Sequence, residues 1–373
     1  MSLVVGAAVV RCGMLLAARR TTPPATAGRW ELPGGKVEPG ETPEEALVRE
    51  VGEELGCRVS VEVWLEGEQP VGAAHTLRAA VCRLDAGSPR PGVGHDQLRW
   101  LSPEELDDVD WLEPDRPFLA ELRELLLDGE RLPGGNVGGA VRIGDTVRRP
   151  TGPWTPAVHA LLRHLDAAGL RGVPSVHGFD ARGREILDFL PGEVVDVDTE
   201  LLSDGRLADL GRWTRELHEA VRGFDHPGPW RFESPERQAL VAHNDLGAYN
   251  VAFNGERVSG VFDWDVAAPG SALFELAHIT WSTVPLFRPV PDAVAARRIE
   301  VLATAYAGPS AAEILAAVPD RVRSVVAGLR AGIDAGDESL RRLAALGEAG
   351  RTAAQLDQLL VRLPGVEAAL VRS

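Results

Sequence analysis

The stretch GKVEPGETPEEALVREVGEELGC, from Gly35 to Cys57, constrains the fold of this 373-residue chain more than any other. It predicts a helix over about 43–55, because both ends carry their own signals. Thr42 is a good N-cap, and Glu45 three residues on completes a capping box. Pro43 suits the first helical position, and Gly56 suits the left-handed position just past the end. Leu47, Val51 and Leu55 recur at a helical spacing and form one apolar stripe that needs a core. Glu50, Glu53 and Glu54, spaced i, i+3 and i+4, share a face beside that stripe.

Three clustered carboxylates repel one another and weaken a helix unless a cation sits among them. Hard divalent cations with oxygen ligands, Mg²⁺ or Mn²⁺, answer that need. The competing reading is a solvated acidic face. Charge elsewhere narrows the partners. Residues 1–130 carry 13 basic and 24 acidic residues, net −11, and residues 131–373 carry the other 26 and 31. Neither part has the basic surface that a nucleic acid or an anionic membrane requires. A small phosphorylated ligand remains open, because a divalent metal bridges two anions. The chain has no run of about 18 apolar residues, so no transmembrane helix is expected. Its three cysteines, Cys12, Cys57 and Cys82, are isolated and make no metal pattern, which suits a reducing cytoplasm.

Strands are expected over 1–10 and within 59–84, and a second helix over 116–127. The breaker-rich stretch after Asp128 marks a boundary, so residues 1–130 form one α/β domain. The strand pattern GGAVRIGDTVRRP follows, with its turn at Gly144-Asp145. A helix is expected at about 155–168, then two strands ending in ILDFLPG. From about 199 the pattern is helical, interrupted by a β-rich segment at 250–264. Residues 131–192 thus read as a small β-rich lobe and 193–373 as a large helical one.

The Gly35–Cys57 stretch fits the pattern G-x5-E-x7-R-E-U-x-E-E-x-G-U, where U is a bulky aliphatic, with the smaller Cys57 at the last position. It resembles the Nudix hydrolase family over roughly the first third of the chain. The resemblance implies an α/β/α sandwich and attack of water on a diphosphate. It implies that Glu50, Glu53 and Glu54 ligate metal with the Gly35 carbonyl, and that Glu41 pairs with Arg49 to hold the loop against the helix. A general base is also needed. Glu53, Glu54 or a later carboxylate such as Asp96 could serve. The segments GRWELPGGKVE and LRWLSPEELDDVDWLEPDRPFLAEL resemble the nucleotide-sanitising branch, in which an Asn or Asp just before the last helix reads the base. Asp115 stands there, and it is equally placed to be an N-cap.

A second cluster is His243-Asn244-Asp245-Leu246-Gly247-Ala248-Tyr249-Asn250, followed by Asp263-Trp264-Asp265. It resembles the aminoglycoside and choline-type phosphotransferases, which have a protein-kinase-like α+β fold. The resemblance implies that Asp245 accepts or orients a substrate hydroxyl proton, and that Asn250 and Asp263 hold Mg²⁺ against the phosphates of ATP or GTP. The implied partners are a small phosphorylated nucleotide and a small-molecule hydroxyl acceptor. Asn244 stands in place of the usual Gly. Residues 131–373 contain no lysine, so Arg148, with Arg149 next, is the expected substitute for the lysine that grips phosphate. No helix glutamate is evident to partner it. The stretch 132–139, LPGGNVGG, reads as either a phosphate loop or a linker. The chain is therefore expected to be a Nudix hydrolase fused to a small-molecule kinase, or to a kinase-like binding or immunity module without catalysis.

Overall fold

A computed structural model describes residues 2–132, 139–196, 199–232, 240–345 and 347–372. The chain parts into two compact units, the first ending at Arg148 and the second running from Arg149 to the C-terminus. Most of the 132–139 stretch lies outside the described residues.

The first unit is a mixed sheet with a helix on each face. Its strands are β1 (Ser2–Arg11), β2 (Met14–Arg20), β3 (Trp30–Glu31) and β4 (Gly34–Lys36). After helix α1 (Pro43–Leu55) come β5 (Arg58–Trp64), β6 (Gln69–Val71), β7 (His75–Ala86) and β8 (His95–Leu101), then α2 (Leu119–Asp128). The path β3-β2-β1-β7-β5 forms the sheet's spine, with β4 on β1, β6 on β7 and β8 on β2. Strands β1 and β7 run parallel, with Ser2 opposite His75 and Val10 opposite Arg83.

Alternation along β1 explains the sandwich. Val5, Ala7 and Val9 face one core with Ala46, Leu47, Val51 and Leu55 of α1. Ala8 faces the other with Trp111, Phe118, Leu122 and Leu126. Leu47 and Val51 are fully buried, and each contributes about 1.5–3 kcal/mol relative to an exposed side chain. The predicted caps of α1 are present. The Glu45 N–H donates to Thr42 Oγ1 at 3.2 Å, the Thr42 N–H donates to Glu45 Oε2 at 2.7 Å, and Gly56 adopts φ 65°. The second helix starts later than the sequence suggested. Residues Arg116–Phe118 form a 3₁₀ turn and the α-helix begins at Leu119.

Three short strands follow α2: β9 (Glu130–Arg131), β10 (Val141–Ile143) and β11 (Thr146–Arg149). Strands β10 and β11 form the hairpin expected at Gly144-Asp145, with Ile143 opposite Thr146 and Gly144 at φ 60°. This hairpin counts with the first unit as far as Arg148.

The second unit opens with α3 (Thr155–Ala167) and the hairpin β12 (Val176–Phe179) and β13 (Glu185–Asp188). Next come β14 (Glu193–Val194), α4 (Asp204–Ala220) and β15 (Leu240–Ala242). The hairpin β16 (Val251–Asn254) and β17 (Arg257–Val261) then joins β14 in a three-stranded sheet, while β18 (Ala268–Gly270) pairs with β15. The rest is helical: α5 (Ala272–Thr283), α6 (Asp292–Tyr306), α7 (Ala311–Asp334), α8 (Glu338–Ala345) and α9 (Glu348–Arg372). One core joins Leu161, Leu210, Trp213, Phe253, Trp264, Leu276, Ile299 and Val318. Strand-bearing at its start and helical thereafter, the unit has the order of a kinase-like domain. Among the described residues, no single helix is long and apolar enough to cross a membrane. All three cysteines are free, with Cys57 and Cys82 buried.

Candidate active sites

In the first unit, a close backbone approach builds the site. Gly35 on β4 lies directly against the Glu50 carboxylate of α1, and a Cβ there would come within 2.3 Å of Glu50 Cδ. Only glycine allows that contact. Arg49 organises the surrounding charges. Its Nη2 and Nε meet Glu41 Oε1 and Oε2 at 2.8 and 3.2 Å, and Nη2 also donates to the Lys36 carbonyl at 3.1 Å. The loop 36–41 is thereby tied to the helix. Nη1 of the same residue reaches Glu50 Oε1 at 3.0 Å and Glu53 Oε2 at 3.4 Å. A guanidinium thus supplies part of the positive charge that the carboxylates require.

The three carboxylates differ in surroundings. Glu53 is open to solvent and meets Arg49 at its edge. Glu54 accepts the Gly34 N–H at 3.0 Å. Burial raises the Glu54 carboxyl to about 7, against the partial relief given by His95. Glu53 and Glu54 also line a cavity of about 500 Å³ with Ser88, Arg90 and Gly92. Among the described residues no group of three or more His, Cys, Asp or Glu side chains stands ready-made around a metal. The donors themselves are hard carboxylate oxygens on positions 50, 53 and 54 of one helix beside β4, and they fit Mg²⁺ or Mn²⁺ by type.

Two sequence alternatives can be placed. Asp96 is held by Arg19 through two bonds of 2.8 and 2.9 Å and its carboxyl lies below the usual range, so its charge is already matched. Its neighbour His95 faces inward instead and meets Glu31 at 2.9 Å. Asp115 does not cap a helix: its side chain makes no cap bond and its backbone is already helical. It is buried at 3% exposure, in the turn that follows the backbone bonds of residues 110 and 112 to Trp30 of β3. Burial, and then Glu31, push its carboxyl well above the ordinary range, while a bond from the Leu32 backbone lowers it.

The raised groups give a pH prediction. Between the ordinary glutamate value near 4.3 and about 7, the folded protein binds a proton at Glu54 that the unfolded chain has released. Stability from this group is therefore lost as pH rises through that window. Metal-free protein should show a falling Tm from pH 5 to 7.5, and Glu54→Gln should flatten part of the slope. A Tm difference between the two proteins that does not change with pH would contradict this.

In the second unit, Glu275 at the start of α5 shapes the loop. Its carboxylate accepts the His243 N–H at 2.7 Å and the Asn244 N–H at 3.0 Å. Asn244 adopts φ 64°, which explains why an Asn can stand where glycine is usual. His243 packs on Trp264 at 4.6 Å between ring centroids and bonds the Phe262 carbonyl at 3.1 Å. Asp245 is gripped on both oxygens: Oδ1 accepts from Tyr249 at 2.6 Å and lies 3.1 Å from His278 Nε2, and Oδ2 accepts from Asn250 Nδ2 at 3.0 Å. Burial pushes the Asp245 carboxyl up, but His278 and Tyr249 outweigh it and leave it below the usual range. The β16–β17 hairpin returns the chain so that Val251 lies opposite Val261, and Asp263 follows at φ 65°.

The cation beside Asp263 is Arg149, not Arg148. Arg149 Nη2 meets Asp263 at 2.6 Å and Asp265 at 3.1 Å, and Nη1 lies 3.6 Å from Glu185. Arg148 instead bonds Thr146 and Glu104, because successive residues of a strand point to opposite faces. The sequence reading also missed Glu185. This buried carboxylate on β13 also bonds His159 of α3 at 2.8 Å. The acid partner of the cation therefore comes from a strand, while the helix contributes a histidine.

Residues 2–122 match the NUDIX domain family and residues 233–315 match the phosphotransferase enzyme (APH) family. The CTP pyrophosphohydrolase of Escherichia coli K12 is 37% identical over 103 residues, which cover 27% of this chain and 76% of that protein. The chain belongs to the Nudix family. The 8-oxo-dGTP diphosphatase of E. coli K12 is 36% identical over 111 residues, 29% of this chain and 84% of that protein. The trifolitoxin immunity protein of Rhizobium leguminosarum bv. trifolii is 37% identical over 164 residues, 42% of this chain. The chain spans 62% of that protein's length. That match is longer than the whole Nudix match, so it reaches outside the Nudix domain.

Proposed function

We infer that the Nudix domain is a metal-dependent pyrophosphohydrolase of a nucleoside di- or triphosphate, and that the kinase-like domain binds ATP or GTP for transfer to a small-molecule hydroxyl. The observation that carries the first part is the packing of Glu50 against Gly35 with Glu53 and Glu54 on the same helical face. Glu50, Glu53 and Glu54, with the Gly35 carbonyl, would hold Mg²⁺ or Mn²⁺. When bound, such a cation polarises phosphoryl oxygens and lowers the pKa of water. Glu54, which accepts the Gly34 N–H on the same face, would take a proton from water. Glu53, open to the cavity, is the alternative. Arg90 on the same cavity offers a charge to the phosphates. Asp115 would read a base edge. The similarity to enzymes named for 8-oxo-dGTP and CTP supports a nucleotide substrate.

The test is product analysis on a nucleoside triphosphate panel with Mg²⁺. Monophosphate and pyrophosphate are expected in equal amounts. Release of diphosphate and orthophosphate would refute the proposed cleavage.

In the kinase-like domain, Asp245 would orient the acceptor hydroxyl, Asn250 and Asp263 would hold the metal, and Arg149 would take the phosphate-gripping role. The lobes at 131–192 and 193–373 remain our division of this domain. The immunity-protein similarity favours a second reading, a kinase-like module that binds without transferring. Both readings place the protein in the cytoplasm, acting on small molecules and not on nucleic acid or membrane.

A further inference from the structure

The kinase-like domain carries a hydroxyl of its own at the position assigned above to the acceptor. Tyr249 lies in the 3₁₀ turn Ala248–Asn250, four residues after Asp245. Its phenol donates to Asp245 Oδ1 at 2.6 Å. His278, on α5, braces both groups, with Nε2 at 3.1 Å from Asp245 Oδ1 and 3.2 Å from the Tyr249 oxygen. Asn250, the next residue, donates to the other oxygen of the same carboxylate. The phenolic oxygen therefore sits beside the group proposed to orient an acceptor and one residue from a group proposed to hold metal.

The backbone is built to allow this position. The tyrosine ring folds back over Gly247, where a Cβ would come within 2.4 Å of ring carbon Cε1. Any larger residue at 247 would push the ring off the carboxylate. Tyr249 remains 42% exposed, so it is not enclosed by the fold. A ring needed for packing alone would require no hydroxyl on Asp245.

The geometry points to Tyr249 as a phosphoryl acceptor of its own domain. In this step the Tyr249 oxygen bonds to the γ-phosphorus of a nucleoside triphosphate. The bond from that phosphorus to the β–γ bridging oxygen breaks, and the nucleoside diphosphate leaves. The phenolic proton passes along the existing hydrogen bond to Asp245. The inference rests on the kinase-like reading of this domain.

The test uses the full chain carrying Glu53→Gln, so that the Nudix site does not consume the nucleotide. It is incubated with Mg²⁺ and ATP or, separately, GTP. Calorimetry reads nucleotide binding as the part lost when Asp263→Asn is added, which separates it from binding at the Nudix site, and fragment mass spectrometry reads the peptide containing Tyr249. One phosphate on Tyr249 is expected, lost in Tyr249→Phe and in Asp245→Asn. A tyrosine that only positions Asp245 gains no phosphate. Nucleotide binding without phosphate on Tyr249 overturns the inference and leaves the kinase-like reading standing. Absence of binding overturns both.

Discussion

Glu53→Gln should lower kcat for nucleotide hydrolysis by on the order of 10²–10⁴-fold, the range expected when a positioned acid–base group is lost, while leaving Tm nearly unchanged. The separation follows from the surroundings of the three carboxylates. Glu50 is packed against the Gly35 backbone, and Glu54 is partly buried and holds the Gly34 N–H. Changing either disturbs the fold as well as the chemistry. Glu53 is 64% exposed at its side chain and meets Arg49 at 3.4 Å, a contact of the exposed i,i+4 kind that contributes about 0.3–0.5 kcal/mol. Its amide replacement keeps the shape and removes the charge. Steady-state rates at saturating substrate, with thermal unfolding of the same samples, give the answer. Undiminished turnover would remove Glu53 from the machinery. A collapse of Tm would show that the face is structural.

Arg149→Ala should destabilise the kinase-like domain by about 3–5 kcal/mol, the cost of leaving buried charge without its partner. Three carboxylates meet this guanidinium: Asp263, Asp265, which Arg231 also approaches at 3.6 Å, and the buried Glu185, which His159 also bonds. Burial already pushes the Asp265 carboxyl up, with Arg149 the largest influence opposing it. Arg149→Lys should recover part of the loss, since an ammonium keeps the charge but lacks the planar fork that spans several acceptors. Arg148→Ala should leave nucleotide affinity unchanged, because its partners are Glu104 and Thr146. Urea unfolding and nucleotide titration of the three variants measure this. Equal effects at 148 and 149 would contradict the assignment of the cation.

The contrast between these two arginines shows what a sequence can and cannot disclose here. Helix α1 was legible to the residue because its determinants are local: Thr42 and Glu45 cap one end, Pro43 starts it, and Gly56 ends it. The pairing of Glu41 with Arg49 was legible through a resemblance, and the structure places the two side chains in contact. The choice between Arg148 and Arg149 was not legible. Strand β11 is only four residues long, and a shift of one residue reverses which face each side chain occupies. Glu185 gave no signal at all, because its contact with Arg149 is made across the fold and follows no local pattern. Asp115 looked like a cap from its position before Arg116-Pro117. Its side chain makes no cap bond and is buried, which no neighbouring residue announces, so of the two roles its position allowed, the cap is the one the structure does not show. Asn244 is the reverse case, since an Asn in place of glycine is what a left-handed backbone tolerates.

The central claim is that the carboxylate face of α1 holds a divalent cation. Electron paramagnetic resonance of Mn²⁺ titrated into the full chain tests it most directly, because bound Mn²⁺ loses the sharp signal of the free ion. In the absence of nucleotide, wild-type protein should bind Mn²⁺, and Glu50→Gln and Glu53→Gln should each weaken that binding at least ~10-fold. Equal Mn²⁺ affinity in all three proteins would contradict the account.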